Sequence, residues 1–233
     1  MDIFGNNEIH EEGRDKLMFW IKQHHAIKAG LHFDLRLQFA IIKGGDAIVK
    51  WAKSFVLKPG PSMDPGKKIL AILVDDHEVR FMRREGTVLE KDGIGAMVHF
   101  DEGFFTIPGC KSLSEFVKAF NKGMNEGNLL LLFDGYKIKG LFRLKRVKND
   151  NNRDWVFEKR ADDYARTDDI LDDTISILSN QSLNYYMDEY KDQTKKLSLL
   201  SPEDQKKFIG ENYTQNFKHK NLKLPDRPDK ILP

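Results

Sequence analysis

The sequence predicts a mainly β protein: a compact antiparallel β-barrel, or a strongly curved antiparallel sheet, with one or two packed helices and an α-helical C-terminal extension. Three observations lead there. Short apolar or alternating stretches recur at close spacing from Leu17 to Lys159, with turn-forming residues between them. One internal segment carries a full helix signature: Ser112-Leu113-Ser114-Glu115 is a capping box, Leu113, Phe116, Val117 and Phe120 recur at helical spacing, and Gly123 is placed to end it. After Tyr164-Ala165 the composition turns from strand-like to helical. The 233 residues, 40% of them hydrophobic, suffice for one substantial core. We divide them into an N-terminal arm (1–16), a barrel domain (17–165) and a helical extension with an extended tail (166–233).

Taken in order, Leu17 to Lys22 reads as a first strand, and Ala29-Gly30 as a break. From Leu31 apolar and polar residues alternate strictly, so Leu31, Phe33, Leu35, Leu37 and Phe39 share one face and His32, Asp34, Arg36 and Gln38 the other. Gly44-Gly45 separates this strand from Ala47–Val56, a hairpin partner. Lys58 to Gly66 holds three prolines and two glycines, a composition that excludes helix and central strand. Ile69 to Val74 is a continuous apolar run, expected to be buried on both faces, and it ends in Asp75-Asp76-His77-Glu78. Asp101-Glu102-Gly103 reads as a hairpin turn between Met97–Phe100 and Phe104–Ile107. Leu129–Phe133 and Lys137–Val147 form another hairpin with cations on its polar face, and Trp155–Lys159 is the final strand. Ser201-Pro202-Glu203-Asp204 is a helix start.

Composition also excludes. Lys+Arg 38 nearly balances Asp+Glu 36, so a nucleic-acid footprint must be local. The single cysteine, Cys110, forbids an internal disulfide and a multi-cysteine zinc site, which fits a reducing compartment. No apolar run reaches the length of a membrane span, and Met1–Glu8 lacks the pattern of a signal peptide, so a soluble, cytoplasmic protein is expected.

The polar face of the alternating strand is where chemistry concentrates. His24 or His25, with His32 and Asp34, supplies two imidazoles and a carboxylate, a mixed N/O set suited to Mn²⁺, Zn²⁺ or Fe²⁺. Side chains two apart on a strand lie side by side, and Arg36 is the next on that face, placed to take a phosphate oxygen by a forked, charge-assisted contact.

These residues carry a family resemblance. His24-His25-Ala26, Leu31-His32-Phe33-Asp34-Leu35-Arg36-Leu37, Trp51-Ala52, Lys58-Pro59-Gly60-Pro61-Ser62, Asp76-His77, Glu85-Gly86 and Trp155…Lys159…Asp162-Asp163-Tyr164-Ala165 resemble, in order, the 3′-phosphoesterase domain of bacterial DNA ligase D. The resemblance implies a compact barrel with a manganese-dependent site, Zn²⁺ or Co²⁺ being possible substitutes. Such a site removes a 3′-phosphate or a 3′-terminal ribonucleotide from DNA or RNA–DNA ends, leaving a 3′-OH for a separate polymerase or ligase. It implies His24, His32 and Asp34 as metal ligands, with His25 the rival of His24, and Arg36 and His77 as holders of the scissile phosphate. His77 also has the chemistry of a general acid. Lys68, Arg80, Arg83 and Arg84 are candidate phosphate or DNA contacts, and Lys137, Lys139, Arg143 and Lys145 further backbone contacts. There are departures: Phe81 stands where the family often has a phosphate-contacting tyrosine, and Ile69 where it has an arginine, with Lys68 adjacent. They favour the alternative, a catalytically weakened or inactive nucleic-acid-binding module on the same fold. A metal-dependent oxygenase with the same ligand types is a third and weaker possibility.

Overall fold

The alternation that begins at Leu31 is built into a 14-residue strand, β2 (Gly30–Lys43), in a computed structural model that describes residues 17–26, 29–43, 46–90 and 93–188 with Ser201 and Asp204. Around it lie β1 (Leu17–Ala26), β3 (Asp46–Lys58), β4 (Ile69–Glu78), β5 (Gly86–Glu90), β6 (Gly93–Thr106), the helix α1 (Leu113–Glu126), β7 (Asn128–Gly135), β8 (Lys139–Arg146) and β9 (Asp154–Lys159). The sheet order is β1-β2-β3-β4-β9-β8-β7-β6-β5, and β1 also pairs with β6. Eight strands therefore close into an antiparallel barrel with β5 appended. Closure removes the exposed edges that an open sheet of this size would carry.

Two compact units interleave along the chain. The first comprises Met1–Ile21, Phe33–Met82 and Asp101–Asp173, and its core is aromatic. Phe133 meets Phe19 and Phe142 edge-on, with ring centroids 4.8 and 5.3 Å apart, and Phe142 stacks on Phe157 at 4.8 Å. Such pairs add about 0.5–1.5 kcal/mol each beyond the area they bury. Helix α1 covers part of this core through Phe116 and Phe120, which pack on Phe105. Its start is the expected one: the Ser112 Oγ accepts the Glu115 N–H at 3.2 Å. Its end is not. Gly123 lies inside the helix, where a Cβ would come within 2.5 Å of Leu129, and the left-handed Gly127 (φ 72°) terminates it.

Two strand expectations change. Asp101-Glu102-Gly103 is not a turn but the middle of the continuous β6. Asp101 is fully buried and supplies acceptors to the tight β7–β8 connection: Oδ1 takes the Tyr136 and Glu102 N–H groups at 2.8 and 2.9 Å, and Oδ2 takes that of Ile138 at 2.7 Å. Gly103 is needed for close approach, because a Cβ there would lie 2.1 Å from the Asp134 carbonyl oxygen. The run Ile69–Val74 is not buried on both faces, since Leu70 is 41% exposed and Ile72, Leu73 and Val74 are only half-buried. Pairing of β4 with β9 involves only Ile69 to Ile72, and among the described residues none buries the outer side of Leu70.

The second unit comprises Lys22–His32, Arg83–Phe100 and Thr174–Pro233. Its core joins Ala96 and Val98 of β6 to Leu183 and Tyr186. A polar pin accompanies it: the buried Glu85 accepts, on one carboxylate oxygen, the His99 N–H at 2.7 Å and the Ser176 hydroxyl, while the Ser176 Oγ accepts the N–H groups of Leu178 and Ser179. Gly86 (φ 108°) lies under Tyr186. Ser176→Ala leaves a buried carboxylate short of a donor and two amides short of an acceptor, so unfolding in urea should show a loss of about 1–3 kcal/mol.

Of the expected C-terminal extension, the described residues hold a 3₁₀ turn at Ile170–Asp172, helical residues at 183–188, and Ser201 capping through its contact with the Asp204 N–H. The N-terminal arm and the rest of the tail lie outside the described residues. Among those, no helix is long and apolar enough to cross a membrane.

Candidate metal centre

Alternation along β2 delivers His32, Asp34, Arg36 and Gln38 to one face, and all four are buried. The opposite face, Phe33, Leu35 and Leu37, is buried as well, whereas Leu31 is 51% exposed and leaves the apolar set. Gln38 serves structure: its Oε1 accepts the Met18 N–H and its Nε2 donates to the Val49 carbonyl.

His24 of β1 meets His32 with ring centroids 4.7 Å apart. One potential ligand atom from each of His24, His32 and Asp34 lies within 4.8 Å of the others, and all three residues are buried. Because β2 runs unbroken from His32 to Asp34, the relation of these two is set by the strand itself. The strand β1, expected to end at Lys22, continues to Ala26, so His24 and His25 fall on opposite faces. It is His24 that joins the group; His25 is half-exposed, and its backbone carbonyl lies beside Gly95. The His32 Nδ1 lies 2.9 Å from the Gly30 carbonyl, which can only accept. That contact places the ring proton on Nδ1 and the lone pair on Nε2, the arrangement that metal-binding histidines use to fix their tautomer. Gly30 itself (φ 67°) makes the turn that brings this carbonyl back. Two imidazoles and a carboxylate without a thiolate fit Mn²⁺, Zn²⁺ or Fe²⁺.

Gly95 of β6 supports His24. A Cβ there would lie 3.0 Å from the His24 Nε2 and 2.8 Å from the His25 carbonyl oxygen. Gly95→Ala should therefore displace the ring and weaken Mn²⁺ binding by about 10–100-fold in a calorimetric titration.

Strand register brings Arg36 and His77 together. Arg36 lies opposite Ser54 on β3, and Gln38 opposite Ala52. On β4, Val74 lies opposite Ser54 but His77 opposite Ala52, so three residues of β4 oppose two of β3. This bulge reverses the parity of β4 and turns His77, not Asp76, to the face of Arg36 and Ser54. Asp76 goes to the other side and pairs with Lys53 at 2.8 Å. The Arg36 guanidinium bridges the two halves of the site, with Nη2 3.2 Å from the Asp34 carboxylate and Nη1 3.0 Å from the His77 Nδ1. Ser54, fully buried, has its Oγ 3.0 Å from the same nitrogen. His77 is exposed, so its ring reaches solvent.

The other basic candidates separate. Lys68 is exposed and precedes β4, while His77 sits near its far end, roughly 30 Å of extended chain away. Arg80 ion-pairs with Glu78, and its guanidinium covers the Phe81 ring at 4.5 Å. Ile69 is buried and pairs with Phe157. Arg83 and Arg84 are half-buried. Lys137 donates to the Asp173 carbonyl and Arg143 pairs with Glu158, so both cations are engaged within the protein. The motif at Lys159 and Asp162 is a clasp: the buried ammonium donates to the Asp162 carboxylate and to two carbonyls, and Asp162 accepts the N–H groups of Leu141 and Tyr164.

Ser54 is the site residue that sequence reasoning missed. A lone serine between Lys53 and Phe55 carries no signal until the β2–β3 register is known.

The closed antiparallel barrel thus gathers two imidazoles and a carboxylate beside an arginine–histidine pair. The model of the DNA Ligase D 3′-phosphoesterase domain family matches residues 22–146, more than half of the chain, and the chain belongs to this family. It is 28% identical over 158 residues to the multifunctional non-homologous end joining protein LigD of Pseudomonas aeruginosa, an alignment covering 67% of this chain and 16% of that protein. The chain thus matches about one sixth of that relative.

Proposed function

We propose that this protein is a metal-dependent phosphoesterase that heals DNA 3′ ends, removing a terminal 3′-phosphate, a terminal ribonucleotide or both. The observation that carries the proposal is the single face holding His24, His32 and Asp34 beside the Arg36–His77 pair. His24, His32 and Asp34 are the residues to hold Mn²⁺, with Zn²⁺ or Co²⁺ as substitutes. The bound cation would supply Lewis-acid polarisation of a phosphoryl oxygen.

The side chains would do the rest. Arg36 neutralises a non-bridging oxygen while its contact with Asp34 keeps the fork in place. The His77 Nδ1 faces both a donor, the Arg36 Nη1, and an acceptor, the Asp75 carbonyl at 2.8 Å. It is therefore supported with or without its proton, as a group that exchanges one must be. Water attacks phosphorus, the bond from phosphorus to O3′ breaks, and a proton from His77 goes to O3′, giving a 3′-OH and inorganic phosphate. The products define the partners: DNA or RNA–DNA 3′ ends as substrate, and a separate ligase or polymerase to consume the 3′-OH.

Phe81, which offers the phosphate no hydrogen bond, favours a second reading, a module that binds ends without cleaving them. The deciding experiment is release of phosphate from a 3′-phosphate primer annealed to a template, with each divalent metal in turn. Release that depends on metal supports the enzyme; DNA binding with no release in any metal supports the module.

A further inference from the structure

The Nδ1 of His77 lies within hydrogen-bond reach of groups from three adjacent strands of the first compact unit. The Arg36 Nη1 of β2 and the Ser54 Oγ of β3 are each 3.0 Å away, and the Asp75 carbonyl oxygen of β4 is 2.8 Å away. One nitrogen cannot serve all of them in the same way. The guanidinium only donates and needs a lone pair on Nδ1, whereas the carbonyl only accepts and needs a proton there. A hydroxyl can do either, so Ser54 decides between them.

Which it does depends on where its own hydrogen goes. Ser54 is fully buried, so that hydrogen needs an acceptor inside the protein. The Ala52 carbonyl, two residues back on the same strand, takes it at 3.2 Å. With its hydrogen so placed, the Ser54 Oγ offers the imidazole a lone pair and acts with the Asp75 carbonyl. The β3–β4 bulge serves the same end, because Asp75 lies between the paired positions Val74 and His77 and its carbonyl folds back on the ring. Two acceptors then face Nδ1. Arg36, through its other terminal nitrogen, keeps the Asp34 carboxylate as a partner.

We propose that Ser54 is a positioning residue for His77: by accepting from Nδ1 while donating to Ala52, it holds a proton on Nδ1 and makes Nε2 the nitrogen that hands a proton to the leaving O3′. The proposal deepens the phosphoesterase reading given above and rests on it. In the step that frees the 3′ end, the bond from Nε2 to hydrogen breaks, its electron pair stays on the ring, and O3′ takes the proton as its bond to phosphorus breaks. The Nδ1 proton stays in place throughout, so the buried side of the ring needs no path to water.

The test reads the ring directly. The full chain, free of metal and with isotope-labelled histidine ring nitrogens, is compared with Ser54→Ala and Ser54→Thr by NMR at alkaline pH, where a neutral ring reports which nitrogen bears its proton. His77→Gln identifies the signal. Expected are a wild-type ring protonated on Nδ1, a shift of the ratio toward Nε2 by about 3- to 10-fold in Ser54→Ala, and the wild-type ratio in Ser54→Thr, which keeps the hydroxyl. With Mn²⁺ and a 3′-phosphate primer–template, kcat of Ser54→Ala should fall by a similar factor at little change in KM, because Arg36 and the metal ligands are untouched. A serine that only fills space would leave the ring ratio where it was. A wild-type ring protonated on Nε2, an unchanged ratio in Ser54→Ala, a shifted ratio with unchanged turnover, or a loss carried by KM alone overturns the proposal. If the added methyl group unfolds Ser54→Thr, the comparison with Ser54→Ala still decides. Wild type that releases no phosphate in any metal is instead a failure of the phosphoesterase reading, and the ring ratios still decide whether Ser54 holds the His77 proton.

Discussion

Replacing His32 by alanine is expected to reduce Mn²⁺-dependent release of phosphate from a 3′-phosphate primer–template on the order of 10³-fold or more. Even residues that merely orient metal ligands account for about 10–100-fold in affinity or activity, and His32 is proposed as a ligand itself. Its Nδ1 contact with the Gly30 carbonyl leaves Nε2 as the nitrogen able to ligate, and one ligand atom of His32 lies within 4.8 Å of those of His24 and Asp34. The substitution removes that donor and leaves Arg36, Ser54 and His77 in place. Duplex binding should therefore fall far less than turnover, and the Mn²⁺ isotherm should collapse. Comparable turnover in wild type and variant would remove the three-ligand site from the mechanism.

Asp101→Ala should produce the largest loss of stability outside the site. It strips acceptors from the amides of Glu102, Tyr136 and Ile138 in a fully buried setting, for about 3–5 kcal/mol by urea unfolding. The same carboxyl gives a pH signature. Burial pushes it up to about 7, against the opposing pull of the backbone amides of Ile138, Lys137, Tyr136 and Glu102. In the unfolded chain it ionises near 4, so protonation favours the folded state. Its contribution is complete below pH 4 and is lost as pH rises from 4 to 7, on the order of a few kcal/mol. In Asp101→Asn this slope should vanish. The variant is less stable throughout, because its amide NH₂ faces an N–H donor. An identical pH dependence in wild type and Asp101→Asn would show that Asp101 does not titrate in this range.

How much of this was legible beforehand depended on whether a signal was local. His32, Asp34 and Arg36 stood out because a period of two is written in consecutive residues, and Ser112 because a cap is defined by its next three. Asp101-Glu102-Gly103 misled because its composition is that of a turn, while its role as acceptor for amides some 35 residues later is fixed only by the pairing of β6 with β7. The exposure of Leu70 follows from what fails to cover a strand, which its own sequence does not encode. Ser54 was missed for a related reason: it is a site residue only through the register of β2 and β3.

The extra residue of β4 between Val74 and His77 gives the site an arithmetic. Paired evenly, with no bulge, the present sequence would set Asp76 opposite Ala52 and present it to the Arg36 face, exchanging an imidazole for a carboxylate that repels phosphate, while His77 turned away. Deleting Asp75 alone would leave His77 two positions after Val74, so even pairing would still bring the imidazole to that face, whereas deleting both Asp75 and Asp76 would turn it away. The site is thus protected by a count as much as by residue identity: the three steps from Val74 to His77 and the bulge that absorbs one of them have to change together.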